Sequence, residues 1–284
     1  LSIAILYNIR AGKHRSAKIA GTLSSALDLK GISYEVFGDP FPKDLSRFTT
    51  VFIIGGDGTL NHVINHVVGS MPPIALFKGG TGNDFATGLY GSASVEETLE
   101  IALHAAPRPV DAGLCNGRIF LNMFGAGFDG DVLKGMATIR RLGPFLGYYL
   151  AVIRTILFYR EPVLEITVDQ DPPIRKRVLL LLLNNAPTTG GGFRVSPRAR
   201  IQDGVLDLVT VDPLPVLQRL RYLPVIRKGE HLDLPFVHHR RVNRLRILSD
   251  RPIQAQLDGE RVEAREFDIT MLPGRFRFLF PEPG

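Results

Sequence analysis

The stretch VFIIGGDGTLNHVINHV, residues 51–67, constrains the fold more than any other part of the chain. A buried-type apolar strand ends in Gly55-Gly56-Asp57-Gly58-Thr59, and a helix begins around Leu60. Glycines let a backbone turn tightly and approach a ligand, and the amides at a helix start can donate to phosphate oxygens. Asp57 in such a turn can hold a cation or a sugar hydroxyl. A strand-to-helix corner with no ligand has the same local pattern, so the turn by itself specifies geometry rather than chemistry. From Ser2 to about Tyr90, strands and helices alternate. Strands fall at IAILYN, SYEVF, Thr50 to Ile54 and Pro73 to Phe77, and helices at Arg15 to Lys30 and Leu60 to Val68. That alternation predicts an α/β architecture, an N-terminal doubly wound parallel sheet whose ligands sit at the carboxyl ends of the strands.

After Pro107 to Pro109 the texture changes to shorter runs, among them Ile119 to Phe124, Val163 to Val168, Val178 to Asn184, Val205 to Val211, Leu245 to Leu248, Ile253 to Leu257 and Phe267 to Met271. Prolines and glycines punctuate them, as turns between antiparallel strands require. Helices are predicted at Val132 to Ile139, Leu146 to Phe158 and Pro215 to Ile226. A chain of 284 residues stands at the length where one core gives way to two. The expected division is residues 1–110, an α/β domain that the C-terminal tail could complete, and residues 111–284, a β-rich, β-sandwich-like domain.

Composition excludes the disordered and fibrous classes, with 45% hydrophobic and 22% charged residues. The single cysteine, Cys115, excludes an internal disulfide and suits a reducing compartment. The opening SIAILYN reads as a strand and not as a signal peptide, which leads to a cytoplasmic expectation. Val178 to Leu183 is too short to span a bilayer, and Phe145 to Tyr159 is short and carries Arg154. Net charge is +6, with a late basic cluster at Arg219, Arg221, Arg227, Lys228, Arg240, Arg241, Arg244 and Arg246. A nucleic acid, an anionic membrane surface and a plain solvated face all fit that charge.

A second turn of the same kind, Gly80-Thr81-Gly82-Asn83-Asp84, follows the strand ALFK, so two such turns should face one crevice. Asn8 to Gly12 ends the first strand at the same edge. A Walker A loop is absent. His62 and His66 stand four apart but lack the glutamate of a zinc protease between them. GAGFDG formally fits G-x-G-x-x-G, yet no acidic residue follows at the distance a dinucleotide fold uses.

Taken in order, these motifs resemble the diacylglycerol kinase catalytic family, which includes soluble bacterial lipid kinases and sphingosine kinases and is related to NAD kinases. Asn8 to Gly12 resembles that family's opening Asn-Pro-x-x-Gly. GGDGTLN and GTGNDFA match as they stand, and GAGFDG resembles its Gly-Phe-Asp turn. GGGFRVSPRARIQDGVLDLV matches a later block, and Leu257-Asp258-Gly259-Glu260 matches the terminal signature. The chain departs from the pattern at Ile9, His62, Lys78 and Thr87, where an altered nucleotide or substrate preference would arise.

The resemblance implies transfer of the γ-phosphoryl group of ATP to the hydroxyl of diacylglycerol or a similar lipid, a place in phospholipid metabolism, and Mg²⁺ as cofactor. It implies Glu260 as general base, with Asp57 and Asp258 as the other catalytic acids. The nucleotide would rest on Asn8, Gly12, Gly55, Gly56, Asp57, Gly58, Thr59, Leu60, Asn61, Thr81, Asn83 and Asp84. A structural Mg²⁺ would use Asp203 with the carbonyls of Arg200 and Val205. The partner implied is a lipid at a membrane surface, with peripheral contact to an anionic membrane at its inner face and no nucleic acid. A homodimer is compatible with the sequence, which does not fix the oligomeric state. The rival readings are a NAD-kinase-like enzyme acting on a dinucleotide and a non-catalytic nucleotide-binding regulator.

Overall fold

The computed structural model describes residues 2–9, 14–139, 144–190 and 192–282. The chain divides into two compact units. One comprises Leu1–Asp111 together with Pro273–Gly284, and the other Ala112–Leu272.

In the first unit, β1 (Ser2–Tyr7), β2 (Ser33–Gly38), β3 (Thr50–Gly55) and β4 (Ile74–Lys78) lie in the order β4-β3-β1-β2, all parallel. The end of the chain's last strand adds beside β4, with Phe278 opposite Ile74 and again parallel. Every residue of β3 is buried, which is why that strand reads as continuously apolar: it is covered on both faces. On one face Ile3, Ile5, Phe52, Ile54, Ala75 and Phe77 meet α1 (Arg15–Leu29) and α4 (Val95–His104) in one core. Two further helices, α2 (Asp57–His66) and α3 (Asp84–Tyr90), pack against β3 and β4. The sequence reading leaves α3 and α4 unassigned, although Ser94 and Glu97 form a reciprocal capping box at the start of α4.

The next strand, β5 (Pro107–Cys115), leads into the second unit, which continues with β6 (Arg118–Phe120), β7 (Met123–Gly127), α5 (Phe128–Ile139), α6 (Pro144–Phe158), β8 (Val163–Val168), β9 (Ile174–Arg177), β10 (Leu180–Asn184), β11 (Leu206–Val211), α7 (Val216–Lys228), β12 (Val237–Val242), β13 (Arg244–Leu257) and β14 (Glu260–Leu279). The two predicted runs Leu245 to Leu248 and Ile253 to Leu257 are one strand, β13, whose register against β14 shifts between Leu248 and Ile253. Its first half pairs with β8 and its second half with β7. That irregularity lets one strand serve two layers. Phe124, Leu164, Ile166, Leu181, Leu208, Ile247 and Phe267 fill a single core in this unit.

Strand β10 explains the leucine run. Leu181 and Leu183 point into that core, while Leu182 packs outward with Phe193, Val195, Leu223 and Ile226. Helices must therefore cover its outer side. Leu223 and Ile226 of α7 do so, and α6 packs on α5 and α7, with Ala151, Val152 and Ile156 buried together with Val132 against Val216 and Leu223. Arg219 of α7 ties the two helices together. It donates to the carbonyls of Leu214 at 2.7 Å, Ile156 at 3.3 Å and Tyr159 at 3.1 Å, and to Glu161 Oε1 at 2.5 Å. The last carbonyls of a helix have no partner within it and attract cations, so the guanidinium closes the end of α6. Cys115 is buried, and loss of solvent pushes its thiol up to about 12, which leaves it unreactive. No described helix is long and apolar enough to cross a membrane.

The Arg219 and Glu161 side chains are only 9% and 13% exposed. Arg219→Met strands a buried carboxylate and should cost about 3–5 kcal/mol in urea unfolding, and adding Glu161→Leu should recover most of that loss.

Candidate active site

In the first unit the topology places Asn8 and both glycine turns at the carboxyl ends of β1, β3 and β4. The strand order reverses direction between β1 and β3, the position where such sheets bind ligands. Asn8 N–H donates to the Ile54 carbonyl at 3.4 Å, so the start of this loop is held to β3. Gly12 lies outside the described residues, as do its neighbours Arg10, Ala11 and Lys13.

The glycines fall into two classes. A Cβ on Gly80 would lie 2.4 Å from Gly56 Cα and 2.7 Å from Gly56 N, so here two backbones touch. A Cβ on Gly55 would lie 2.4 Å from Thr59 Cβ, and one on Gly79 would lie 2.5 Å from Ser16 Oγ. Gly56 and Gly80 are glycine because the two turns pack on each other, Gly55 because Thr59 of its own turn fills the space, and Gly79 because Ser16 of α1 does. Gly58 differs: a Cβ there would meet nothing within 4 Å. It sits at the start of α2, which has no side-chain cap.

Asp57 locks the second turn to the first. Its Oδ2 accepts from Asp84 N at 3.0 Å and its Oδ1 from Phe85 N at 2.9 Å. The carboxylate thus caps α3, whose own preceding residue, Asn83, is in the left-handed conformation and turns its side chain back on Gly80. Thr59 and Leu60 amides donate to the Gly56 carbonyl at 3.0 and 3.1 Å. Their side chains are buried, as is that of Asn61, so these three residues build the corner instead of lining an opening. Thr81 and Gly82 are exposed.

Among the described residues no group of three or more His, Cys, Asp or Glu gathers as a metal cluster. Two carboxylates nevertheless flank Gly82: a Cβ there would lie 3.3 Å from Asp57 Oδ2 and 3.9 Å from Asp84 Oδ2. An all-oxygen pair of this kind fits Mg²⁺, which keeps several waters and needs few protein ligands. Asp203, in the second unit, has one oxygen paired with Arg241, while Oδ1 is buried with no hydrogen-bond partner. An orphaned buried carboxylate oxygen also fits a cation. Arg200 and Val205, beside it in sequence, are exposed and partly buried respectively.

In the second unit Leu257 and Glu260 face each other across a two-residue hairpin, with Asp258 and Gly259 both at positive φ. Asp-Gly is the pair such a turn favours. Asp258 anchors the hairpin: its carboxylate accepts from the amides of Leu121, Asn122 and Met123 at 2.8, 2.8 and 3.0 Å. Those bonds also explain why the predicted strand Ile119 to Phe124 is broken into β6 and β7. Asp258 is therefore a holding group here and not an acid presented to solvent. Glu260 is exposed, and among the described residues no hydrogen bond or ion pair engages its side chain.

Two residues to which the sequence motifs assign no site role, Gln256 and the Asp129 of GAGFDG, join this turn. Gln256 accepts from Gly259 N at 2.6 Å and donates to Asp129 Oδ2 at 2.7 Å. Loss of solvent pushes the Asp129 carboxyl up from its usual range, and the Gln256 bond opposes that shift. Asp129 rests on Gly125, where a Cβ would lie 2.3 Å from its Oδ2. The signal was present as the Asp of GAGFDG and as Gln254 and Gln256 recurring on one face of a buried strand.

At the departures, Ile9 and Thr87 are exposed, and His62 is exposed and stacked on His66, which bonds the Phe41 carbonyl. Lys78 donates to the Gly91 carbonyl, and partial burial lowers its pKa.

Comparison with known proteins agrees with this arrangement. The profile described as "Diacylglycerol kinase catalytic domain" matches residues 2–115, and that of the "YegS C-terminal NAD kinase beta sandwich-like domain" matches residues 122–280. A protein named diacylglycerol kinase from Bacillus subtilis (strain 168) is 28% identical over 83% of this chain and 77% of its own length. Among solved structures, a diacylglycerol kinase from Bacillus anthracis str. Sterne superposes with a TM-score of 0.72 at 21% identity, covering 99% of this chain and 97% of its own. An NAD kinase from Archaeoglobus fulgidus in complex with ATP superposes with a TM-score of 0.59 at 15% identity, covering 99% and 94%. Both structural likenesses speak to the fold.

The two glycine classes give a direct contrast. Gly80→Ala forces backbone apart and should lower stability by about 1–3 kcal/mol. Gly58→Ala, in open space within a helix, should leave stability unchanged or raise it by up to about 1 kcal/mol. Guanidinium unfolding of the two variants beside the parent checks both.

Proposed function

We propose that this chain, which belongs to the diacylglycerol kinase catalytic family with a YegS-type second domain, is a lipid kinase that transfers the γ-phosphoryl group of ATP to the hydroxyl of diacylglycerol or a similar lipid. The observation that carries the reading is the pair of glycine turns fixed to one another at the ends of β3 and β4. It leaves an uncapped helix start with Gly58 in open space, suited to a phosphate chain.

Phosphoryl transfer asks a protein for positioning and charge more than for covalent chemistry. The start of α2 and the exposed Thr81-Gly82 segment would hold the phosphates, with Asn8 at the same edge. Asp57 and Asp84 would hold Mg²⁺, which when bound neutralises phosphate charge, and Asp203 with the carbonyls of Arg200 and Val205 would hold a second, structural ion. Glu260 accepts the proton of the lipid hydroxyl. The lipid oxygen bonds to the γ-phosphorus as its bond to the bridging oxygen breaks, and ADP departs. Asp258 keeps Glu260 in place through three backbone amides, and Gln256 links the same turn to Asp129. Such an enzyme would work from the cytoplasmic side on lipid in the adjoining leaflet.

Purified protein given labelled ATP, Mg²⁺ and micellar diacylglycerol should form phosphatidic acid. Glu260→Gln should lower turnover about 10²–10⁴-fold with nucleotide affinity retained. Undiminished turnover in that variant would remove Glu260 as the base. Labelling of NAD with no lipid product would move the chain to the dinucleotide-phosphorylating branch.

A further inference from the structure

We infer that the outward faces of α6 and α7 form a docking surface for an anionic lipid bilayer, an inference that rests on the lipid-kinase reading for why the protein should visit one. These helices are adjacent, fixed to each other by Arg219, and their inner sides are spent on the core, with Val152 and Ile156 on α6 and Leu223 and Ile226 on α7. Their outer sides should then be polar. They are not. Leu150, Ile153, Leu157 and Phe158 of α6 and Leu217 and Leu220 of α7 are exposed, Phe158 at 76% and Leu217 at 81%. Clustered apolar exposure on this scale marks a contact surface, whereas scattered single residues would not.

Charge selects the occupant. Arg154, Arg160, Arg221 and Lys228 are exposed on or beside the same helices, and neither helix contains an acidic residue. Four of the late arginines are neutralised at home: Arg240 by Asp171, Arg241 by Asp203, Arg244 by Asp268 and Arg246 by Glu266. Exposed cations and exposed apolar side chains therefore stand on the same two helices, with no acidic residue on either. A nucleic acid would use the cations and leave Phe158 and Leu217 in water. A second copy of this face would set like charges against each other. A bilayer with anionic headgroups uses both sets, since apolar side chains enter the acyl boundary while cations meet the headgroups.

The test measures partitioning of the full chain onto vesicles in the absence of ATP, using both the parent protein and Glu260→Gln. Both should bind vesicles of equal phosphatidylglycerol and phosphatidylcholine, bind pure phosphatidylcholine vesicles far less, and release as salt rises. The pair Leu217→Gln with Phe158→Gln, and separately Arg221→Gln with Lys228→Gln, should each weaken binding at least tenfold, the cations contributing about fivefold apiece. All four positions are exposed, so thermal midpoints should hold. Turnover of dioleoylglycerol embedded in vesicles should fall with binding, while turnover of dispersed dioctanoylglycerol stays at the parent level. Unchanged partitioning of either double variant, or equal binding of the parent to both vesicle types, would overturn the proposal. So would a parent dimer in gel filtration that these variants dissolve without any vesicle binding. Vesicle binding as described, with no lipid phosphorylated, would instead leave the docking face standing and remove the kinase reading.

Discussion

Everything at the carboxyl edge of the parallel sheet depends on how closely Gly56 and Gly80 approach. Parallel neighbours lie a fixed distance of about 4.8 Å apart, so the turns that follow β3 and β4 must pass each other at that spacing. A Cβ at Gly80, 2.4 Å from Gly56 Cα, would forbid it. Once the turns touch, the amides at the start of α3 fall within reach of Asp57, and one carboxylate closes a helix belonging to the next βα unit. The acid at the centre of the GGDGT motif thus has a mechanical task before it has a chemical one. That task also sets its Oδ2 beside Gly82, with Asp84 on the other flank, where a cation and phosphate oxygens can be met together.

The hairpin carrying Glu260 is built on the same economy of one acid serving as a clamp. Asp258 gathers three consecutive amides, and each bond to a charged acceptor is stronger than its neutral counterpart. A two-residue turn offers little contact of its own, so without the clamp a carboxylate at its edge would wander. Gln256 adds a second restraint from inside the sheet. It faces Gly125 in the register of β7 and β13, and this glycine leaves the space that Asp129 occupies. The Glu260 side chain itself stays exposed and unengaged, which suits the proton-accepting role proposed for it.

Much of this was legible in residues whose pattern is local. The buried β3, the helix from Arg15 and both glycine turns announce themselves through apolar periodicity and through glycines at strand ends. What escaped the sequence depends on partners far along the chain. Ile119 to Phe124 reads as one strand because nothing near it says that Asp258, more than a hundred residues later, will draw three of its amides aside. Leu245 to Leu257 reads as two strands because its apolar pattern is interrupted where the register shifts, yet the backbone continues and changes partner. The late arginine cluster reads as one basic patch because the sequence cannot show that Asp171, Asp203, Asp268 and Glu266 fold against four of its members. Among the assigned site residues, Leu60 is legible as a helix start but not as a core side chain, since both follow from the same position in the turn.

The leucine run of β10 links the core to the surface. A strand apolar on both faces needs a second covering layer; α7 supplies it beside α5, α6 packs on both, and α6 and α7 each spend only their inner sides on it. Folding places no apolar demand on their outer sides; Leu217 and Phe158 gain nothing from the native state where they stand. Burying one such side chain releases about 1.5–3 kcal/mol, a gain that folding of this chain leaves unrealised at several neighbouring positions at once. Arg219 makes the two faces a single rigid platform by closing the end of α6 from α7. The same ion pair that stabilises the inner layer holds the two helices to each other, so in the proposed docking individually weak apolar and cationic contacts from both can add.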